Sequence, residues 1–375
     1  MRIRGSRSSP VVARFIFGTT AEWIKIEPVV KRMRRLQISV EVYCANQQGE
    51  EIREFLAKEE FQNVPGTEEK PSLVSPWQVP RWFLGALTSL FRLPRIRSSR
   101  VVWFVHGDTM TALLGAIAAS VRREHLAHIE AGLRSSSFRS PFPEELIRRL
   151  IGRCANTHFA PSEPAAQNLR YRVRRRNFEV IVTHGNTVLD ALHATTETVK
   201  HGGPPSVVAL LHRSEFLARA ELVRSTMSAL ASYSAEEGYV INVVVDALAS
   251  ERLRALGLIS PGKSDGVLKG EGAAEGLRFY PKMPHQNFLK MLLDAEVVVT
   301  DSGGVQEETA ALGIPCFIFR NRTERSDGLG KTAFLVGLDP ARLTAALREP
   351  REVGEHVMPP ASPSNVIVQW MQEKL

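Results

Sequence analysis

The sequence predicts an α/β protein of two Rossmann-like domains facing a central cleft, and three observations carry that reading. Short apolar runs alternate with longer helical patterns along the whole chain, which is the rhythm of parallel sheets covered on both faces. The rhythm breaks once, between the basic run Arg172–Arg176 and the Gly-Gly-Pro-Pro at 202–205, and then begins again. The length, 375 residues, fits two domains of ordinary size or one large one. The break favours two.

Taken in order, Val11–Phe17 reads as a buried strand that turns at Gly18-Thr19-Thr20 into a helix carrying Trp23, Ile24, Ile26, Val29 and Val30. Gln37–Cys44 reads as a second strand and Val101–Val105 as another, which stops at His106-Gly107-Asp108 before a small-residue helix at 111–120. His125–Ile129 follows as a strand, then a loop at 131–141 and a helix at 143–153. Beyond the break, strands are predicted at 206–211, 238–245, 296–300 and 315–319, with a flexible surface loop at 260–276. The segment 81–99 offers an apolar stripe of Trp82, Phe83, Leu87, Leu90 and Phe91 beside arginines. That stripe fits a membrane-surface helix, but packing on a sheet or a second subunit accounts for it better.

Composition excludes several classes. Apolar residues are 43% and charged residues 23%, so gross disorder and collagen-like repeats are out. A net charge of +8 favours acidic partners, although no nucleic-acid recognition motif accompanies it and nucleic acid is not expected. Cys44, Cys154 and Cys316 are scattered, without zinc-like spacing; they fit a reducing compartment. Neither a secretory signal nor a membrane-spanning run is present. The expectation is a soluble, cytoplasmic protein without integral membrane contact.

Ligands of doubly wound sheets sit at the carboxyl ends of the strands, so strand-end residues are the candidates. Asp301-Ser302-Gly303-Gly304 follows a strand and opens a helix, where backbone N–H groups can meet a phosphate; an ordinary turn with glycines at φ > 0 competes evenly. Glu308 lies a turn further on, placed to accept from ribose hydroxyls. Asp108 and Glu130 end two strands and Glu144 opens a helix, a set that can divide acid and base duties. Helix capping for Asp108 and dipole complementation for Glu144 are the alternatives. His212, with Arg213, follows the strand at 206–211 and is placed to contact a diphosphate or pass a proton.

Together these motifs resemble the non-hydrolysing UDP-N-acetylglucosamine 2-epimerases. The stretches are GTTAEWIK (18–25), VHGDTMTALLGAIAA (105–119), AHIEAGLRS (127–135), PFPEELIRRL (141–150), HFAPSEPAAQNL (158–169), GNTVLDAL (185–192), HRSEF (212–216) and TDSGGVQEETAALGIPCFIFRNRTER (300–325). They keep family order over nearly the whole chain. The resemblance implies a glycosyltransferase-B type fold, with 1–182 plus 358–375 carrying the acid/base carboxylates and 183–357 binding UDP. It also implies a C-terminal helix returning to the first domain. By motif, Asp108, Glu130 and Glu144 match the acid/base carboxylates, and His212 the family's active-site histidine. Ser302, Gly303 and Gly304 match the diphosphate cradle, Glu308 the ribose ligand and Phe288 the ring that stacks on uracil. Lys25, Arg213 and Arg320 join the substrate contacts. The resemblance implies a UDP-sugar substrate, a homodimer, no cofactor and no metal.

The departures are specific. The family's Gly-Thr-Arg-Pro-Glu turn is Gly18-Thr19-Thr20-Ala21-Glu22, so an arginine near the phosphates is missing; Arg213, Arg320 and Lys331 are candidate replacements. Ile147 stands where the family has a polar residue, and His-Arg-Arg-Glu-Asn has become His212-Arg213-Ser214-Glu215-Phe216. An effector-binding Gln-His is here Asn46-Gln47, and a further family histidine falls in Asn242–Val245. A hydrolysing epimerase, a glycosyltransferase of the same architecture and a non-catalytic nucleotide-sugar binder stay open alongside the epimerase.

Overall fold

The computed structural model describes residues 11–47, 52, 79–93, 100–134, 143–172, 178–193, 205–259, 267–323, 325–349 and 362–374. Most of the basic run after Arg172 and of the Gly-Gly-Pro-Pro stretch lies outside them, as do 135–142 of the expected loop. The chain divides into two compact units, Met1–Ala191 with Pro359–Leu375, and Leu192–Met358.

The first unit holds β1 (Val11–Phe17), α1 (Thr20–Arg35), β2 (Ser39–Cys44), α2 (Val79–Arg92), β3 (Arg100–His106), α3 (Met110–Arg122), β4 (His125–Ile129), α4 (Glu144–Cys154), β5 (Thr157–Ala160), α5 (Glu163–Arg172), β6 (Glu179–Val182), α6 (Val188–His193) and the C-terminal α13 (Pro363–Glu373). Its strands pair parallel in the order β2-β1-β3-β4-β5-β6. β1 shows why its apolar run is continuous. Phe15 and Phe17 face a core shared with Trp23 of α1 and Trp370 of α13, while Ile16 points into the opposite core with Trp103 and Leu114. Both faces are covered, as a parallel sheet requires. Arg14 interrupts the run, yet it is buried between the Trp103 ring, 5.0 Å from its centroid, and Glu41 at 2.7 Å.

Helix α13 buries Ile367, Trp370 and Met371 against α1 and the sheet, each worth roughly 2 kcal/mol of apolar transfer. Asp190 accepts from the Ser362 and Ser364 hydroxyls and from Ser364 N, which ties α6 to the same end. In α2, Trp82, Ala86 and Leu90 are buried in the second core; the stripe serves sheet packing, with Phe91 left exposed.

The second unit holds β7 (Ser206–Leu210), α7 (Ser214–Leu217), α8 (Ala220–Glu237), β8 (Val240–Val245), α9 (Ala247–Ala255), β9 (Leu268–Lys269), β10 (Arg278–Pro281), α10 (His285–Leu293), β11 (Val297–Thr300), α11 (Gly303–Leu312), β12 (Cys316–Ile318), β13 (Ala333–Leu335) and α12 (Pro340–Arg348). The order is β13-β12-β11-β7-β8-β10-β9, parallel except for β9. Here the expected loop at 260–276 is corrected. Its described part, from 267, pairs β9 against β10 and buries Leu268 and Ala274, an edge hairpin whose apolar residues are too few to signal themselves in sequence. Among the described residues no helix is long and apolar enough to cross a membrane.

Candidate active site

In the first sheet the chain steps from β1 outward to β2 and then returns to lay β3 on the other side of β1. The carboxyl ends of β1 and β3 therefore flank the crevice where such sheets take ligands. Gly18 follows β1 there, and a Cβ on it would lie 2.1 Å from Thr111 Oγ1, so a larger residue would have to displace Thr111. Thr19 and Glu22 close a capping box on α1. The Glu22 carboxylate accepts from Gly18 N at 2.8 Å, from Thr19 N at 3.0 Å and from the Thr109 hydroxyl at 2.5 Å. It thus staples the turn after β1 to the turn after β3. Burial pushes its pKa up to about 7, against the hydrogen bonds that pull it down.

Three expected carboxylates sit around this staple or on neighbouring elements of the same unit. Asp108 is 2.5 Å from Arg148 of α4. It does not cap α3; Thr109 does, accepting from Ala112 N. Glu130, just past β4, is buried with its backbone at φ +62, a conformation uncommon for a residue with a Cβ and a recurrent feature of functional sites. Its Oε2 accepts from Lys25 Nζ at 2.7 Å and from Asn186 Nδ2 at 2.5 Å, and His106 Nε2 lies 3.2 Å away. Glu144 opens α4, and its Oε2 is buried without a hydrogen-bond partner among the described residues. Lys25, expected at the substrate, is engaged by Glu130.

The second sheet repeats the arrangement. β8 lies on one side of β7 and β11 on the other, so the crevice falls between Leu211-His212 and Asp301-Ser302. Asp301 is buried and accepts from the backbone N–H of His212 (3.0 Å) and of Arg213 (2.8 Å). Burial pushes its carboxyl up, and neighbouring His212 and these two N–H groups oppose the rise. It locks the two strand ends together. The His212 ring stays partly exposed, 3.9 Å from both Asp301 and Asp246.

Ser302 precedes α11, and Gly303 and Gly304 form its first turn. Neither glycine has positive φ, so the alternative of a turn that needs it is overturned. A Cβ at Gly304 would meet only Ser302 Oγ, at 3.8 Å. What glycine supplies here is a helix start without side chains, where the first N–H groups are approachable by an anion. Along α11, Gln306 donates to Arg325 O and Asp327 O and accepts from Thr323, strapping the following loop to the helix. Arg325 pairs with Glu307 at 2.5 Å. Glu308 is buried, its Oε1 2.8 Å from His285 Nε2 and its Oε2 without a partner among the described residues. Phe288, one turn after His285 on α10, is 8% exposed, and Arg320 is buried just past β12.

A family model described as UDP-N-acetylglucosamine 2-epimerase matches residues 97–365. The chain belongs to the UDP-N-acetylglucosamine 2-epimerase family. It is 30% identical over 351 residues to the UDP-N-acetylglucosamine 2-epimerase of Salmonella borreze, covering 87% of this chain and 85% of that one. With the Salmonella typhimurium enzyme of the same name it shares 32% over 251 residues, 65% of either chain. Among solved structures, Methanocaldococcus jannaschii UDP-GlcNAc 2-epimerase in complex with UDP-GlcNAc and UDP aligns with a TM-score of 0.74 at 26% identity, covering 96% of this chain and 99% of that one. Each unit is a Rossmann-like domain, as the glycosyltransferase-B type fold has them.

Within this epimerase family the chain's departures have local structural reasons. Ile147 is buried in the core beside α3, where a polar side chain would need a partner. Phe216 is buried against the Phe319 ring at 5.7 Å. Lys331 precedes β13, at the opposite end of the sheet from Ser302, and lines a cavity of about 580 Å³ with Phe334 and Arg342; it is not a substitute for the missing arginine. Cys44 and Cys316 are buried free thiols, and burial pushes Cys316 up to about 12. Sequence reasoning passed over Glu22, Asn186 and His285. Only Glu22 carried a signal, the Thr-x-x-Glu spacing of a capping box.

Proposed function

We propose that the chain interconverts UDP-N-acetylglucosamine and UDP-N-acetylmannosamine, or the epimers of a closely related UDP-sugar, by elimination and re-addition of UDP. Membership of the epimerase family supports this, and the observation that carries it is the position of the matched motifs at the switch point of each sheet. The C2 proton beside an N-acetyl group is not acidic. Departure of UDP from C1 builds positive character at the ring and makes loss of that proton feasible. The C1–O bond to UDP breaks, a carboxylate takes the C2 proton, and a 2-acetamidoglucal and UDP remain in the site. Return of UDP to C1 with protonation on the other face of C2 gives the manno epimer.

The scheme needs acid and base groups at C2 and support for the departing diphosphate. We assign proton transfer at C2 to Glu144, whose Oε2 has no hydrogen-bond partner among the described residues. Asp108 and Glu130, each tied to a cation, complete the acid/base set. His212, Arg213, Arg320 and the start of α11 receive the diphosphate, Glu308 the ribose and Phe288 the uracil. We place the acid/base work in the first unit and UDP binding in the second. The +8 charge suits an anionic substrate. We extend the reading to a cytoplasmic homodimer, consistent with free thiols; sedimentation velocity checks the dimer.

Turnover of UDP-N-acetylglucosamine in heavy water is expected to place deuterium at C2 and to give proton NMR signals of both UDP-linked epimers. Free N-acetylmannosamine would mark a hydrolysing enzyme, and no exchange at high enzyme concentration a binder. Phe288→Ala is expected to weaken UDP binding by about 1–3 kcal/mol, the scale of base stacking on aromatic rings. Calorimetric titration with UDP checks it.

A further inference from the structure

Glu308 has two oxygens in different situations. Oε1 is 2.8 Å from His285 Nε2, and Oε2 is buried with no partner among the described residues. A buried acceptor left unmet is costly, so an oxygen in this state fits a site completed by a ligand donor. The two residues come from different elements, His285 from the first turn of α10 and Glu308 from the second turn of α11. Both are largely buried, with side-chain exposures of 14% and 7%. A carboxylate on a free χ3 torsion would present either oxygen; the imidazole removes that freedom.

We propose that His285 is a positioning residue for nucleotide recognition: its Nε2–H holds Oε1 of Glu308 and so aims Oε2 at a hydroxyl of the bound nucleoside diphosphate. This rests on the assignment of Glu308 to the ribose. A pre-aimed acceptor rejects an analogue that lacks the hydroxyl far better than a mobile one, because the lost bond is not replaced. His285 therefore sets the preference for ribose over deoxyribose without touching the ligand.

The test is the ratio of UDP to 2′-deoxy-UDP and 3′-deoxy-UDP affinities, by calorimetry, for wild type, His285→Ala, His285→Gln and Glu308→Gln. Wild type is expected to prefer UDP by roughly tenfold over at least one analogue, the scale of a single well-placed hydrogen bond. His285→Ala should bring that ratio close to one while the deoxy analogue still binds. His285→Gln, which keeps an N–H donor, should restore most of it. An unchanged ratio in His285→Ala, with a ratio collapsed in Glu308→Gln, would overturn the positioning role and leave the ribose assignment standing. A ratio of one in wild type, or no change in Glu308→Gln, would overturn both.

Discussion

Glu144→Gln is expected to reduce C2 hydrogen exchange by a factor of about 10²–10⁴, the usual worth of a positioned general acid or base, and to leave UDP affinity unchanged. The amide fills the same space at the start of α4, so the helix keeps its packing and loses only the favourable charge at its N-terminus, roughly 0.3–1 kcal/mol. The adjacent carboxylate shows why this position is the informative one. Glu145 is fully buried against Arg148 and Arg149, and a change there acts on the fold first. Glu144, by contrast, carries the oxygen with no partner among the described residues. Deuterium uptake at C2, followed by NMR alongside a UDP titration, separates the two effects. A large fall in UDP affinity in the Gln variant would contradict the assignment.

The fold was legible because parallel strands covered on both faces leave apolar runs that nothing else in the chain imitates; β1, β4, β7 and β11 announce themselves in this way. The edge strand β9 was not legible, since Leu268 and Ala274, the buried apolar side chains of its glycine-rich stretch, have no periodicity to read. Site residues divide along the same physical line. Asp108, Glu130 and Glu144 stand beside strand ends and helix starts, positions that local sequence reveals. Their partners do not. Arg148, Asn186 and Lys25 reach them from other elements, 40, 56 and 105 residues away in the chain, and such pairings are set by topology. Glu22 lies between these cases. Its capping spacing is local, but its hydrogen bond to Thr109 exists only because β1 and β3 are neighbours in the sheet.

Acid should destabilise the first unit through a pair of buried histidines, and His158→Phe should remove much of that sensitivity. His128 of β4 and His158 of β5 face each other in register, with ring centroids 6.3 Å apart. Burial lowers His128 to about 4 and His158 to about 3. His158 has no hydrogen-bond partner for either ring nitrogen among the described residues. A histidine whose folded pKa lies below the ordinary 6.5 is protonated more readily in the unfolded chain. Its contribution to stability is therefore intact above 6.5 and is lost as pH falls toward the folded value. At about 1.36 kcal/mol per pH unit, each histidine costs roughly 3 kcal/mol by pH 4. Glu22 works in the other direction: raised to about 7, it favours the folded state as pH falls from 7 to 4.5, by roughly 3 kcal/mol. The balance for these three groups is a net loss of roughly 3 kcal/mol between pH 7 and pH 4. Phenylalanine at 158 keeps a ring against Phe178, now 5.8 Å from the imidazole, and has nothing to protonate. His128 is the wrong residue to change, because its Nε2 donates to Gly107 O at 2.7 Å and holds the turn that carries Asp108. Urea unfolding midpoints between pH 7 and pH 4 should fall for the wild type and stay nearly level for His158→Phe; parallel declines in the two proteins would show that the pair does not govern acid stability.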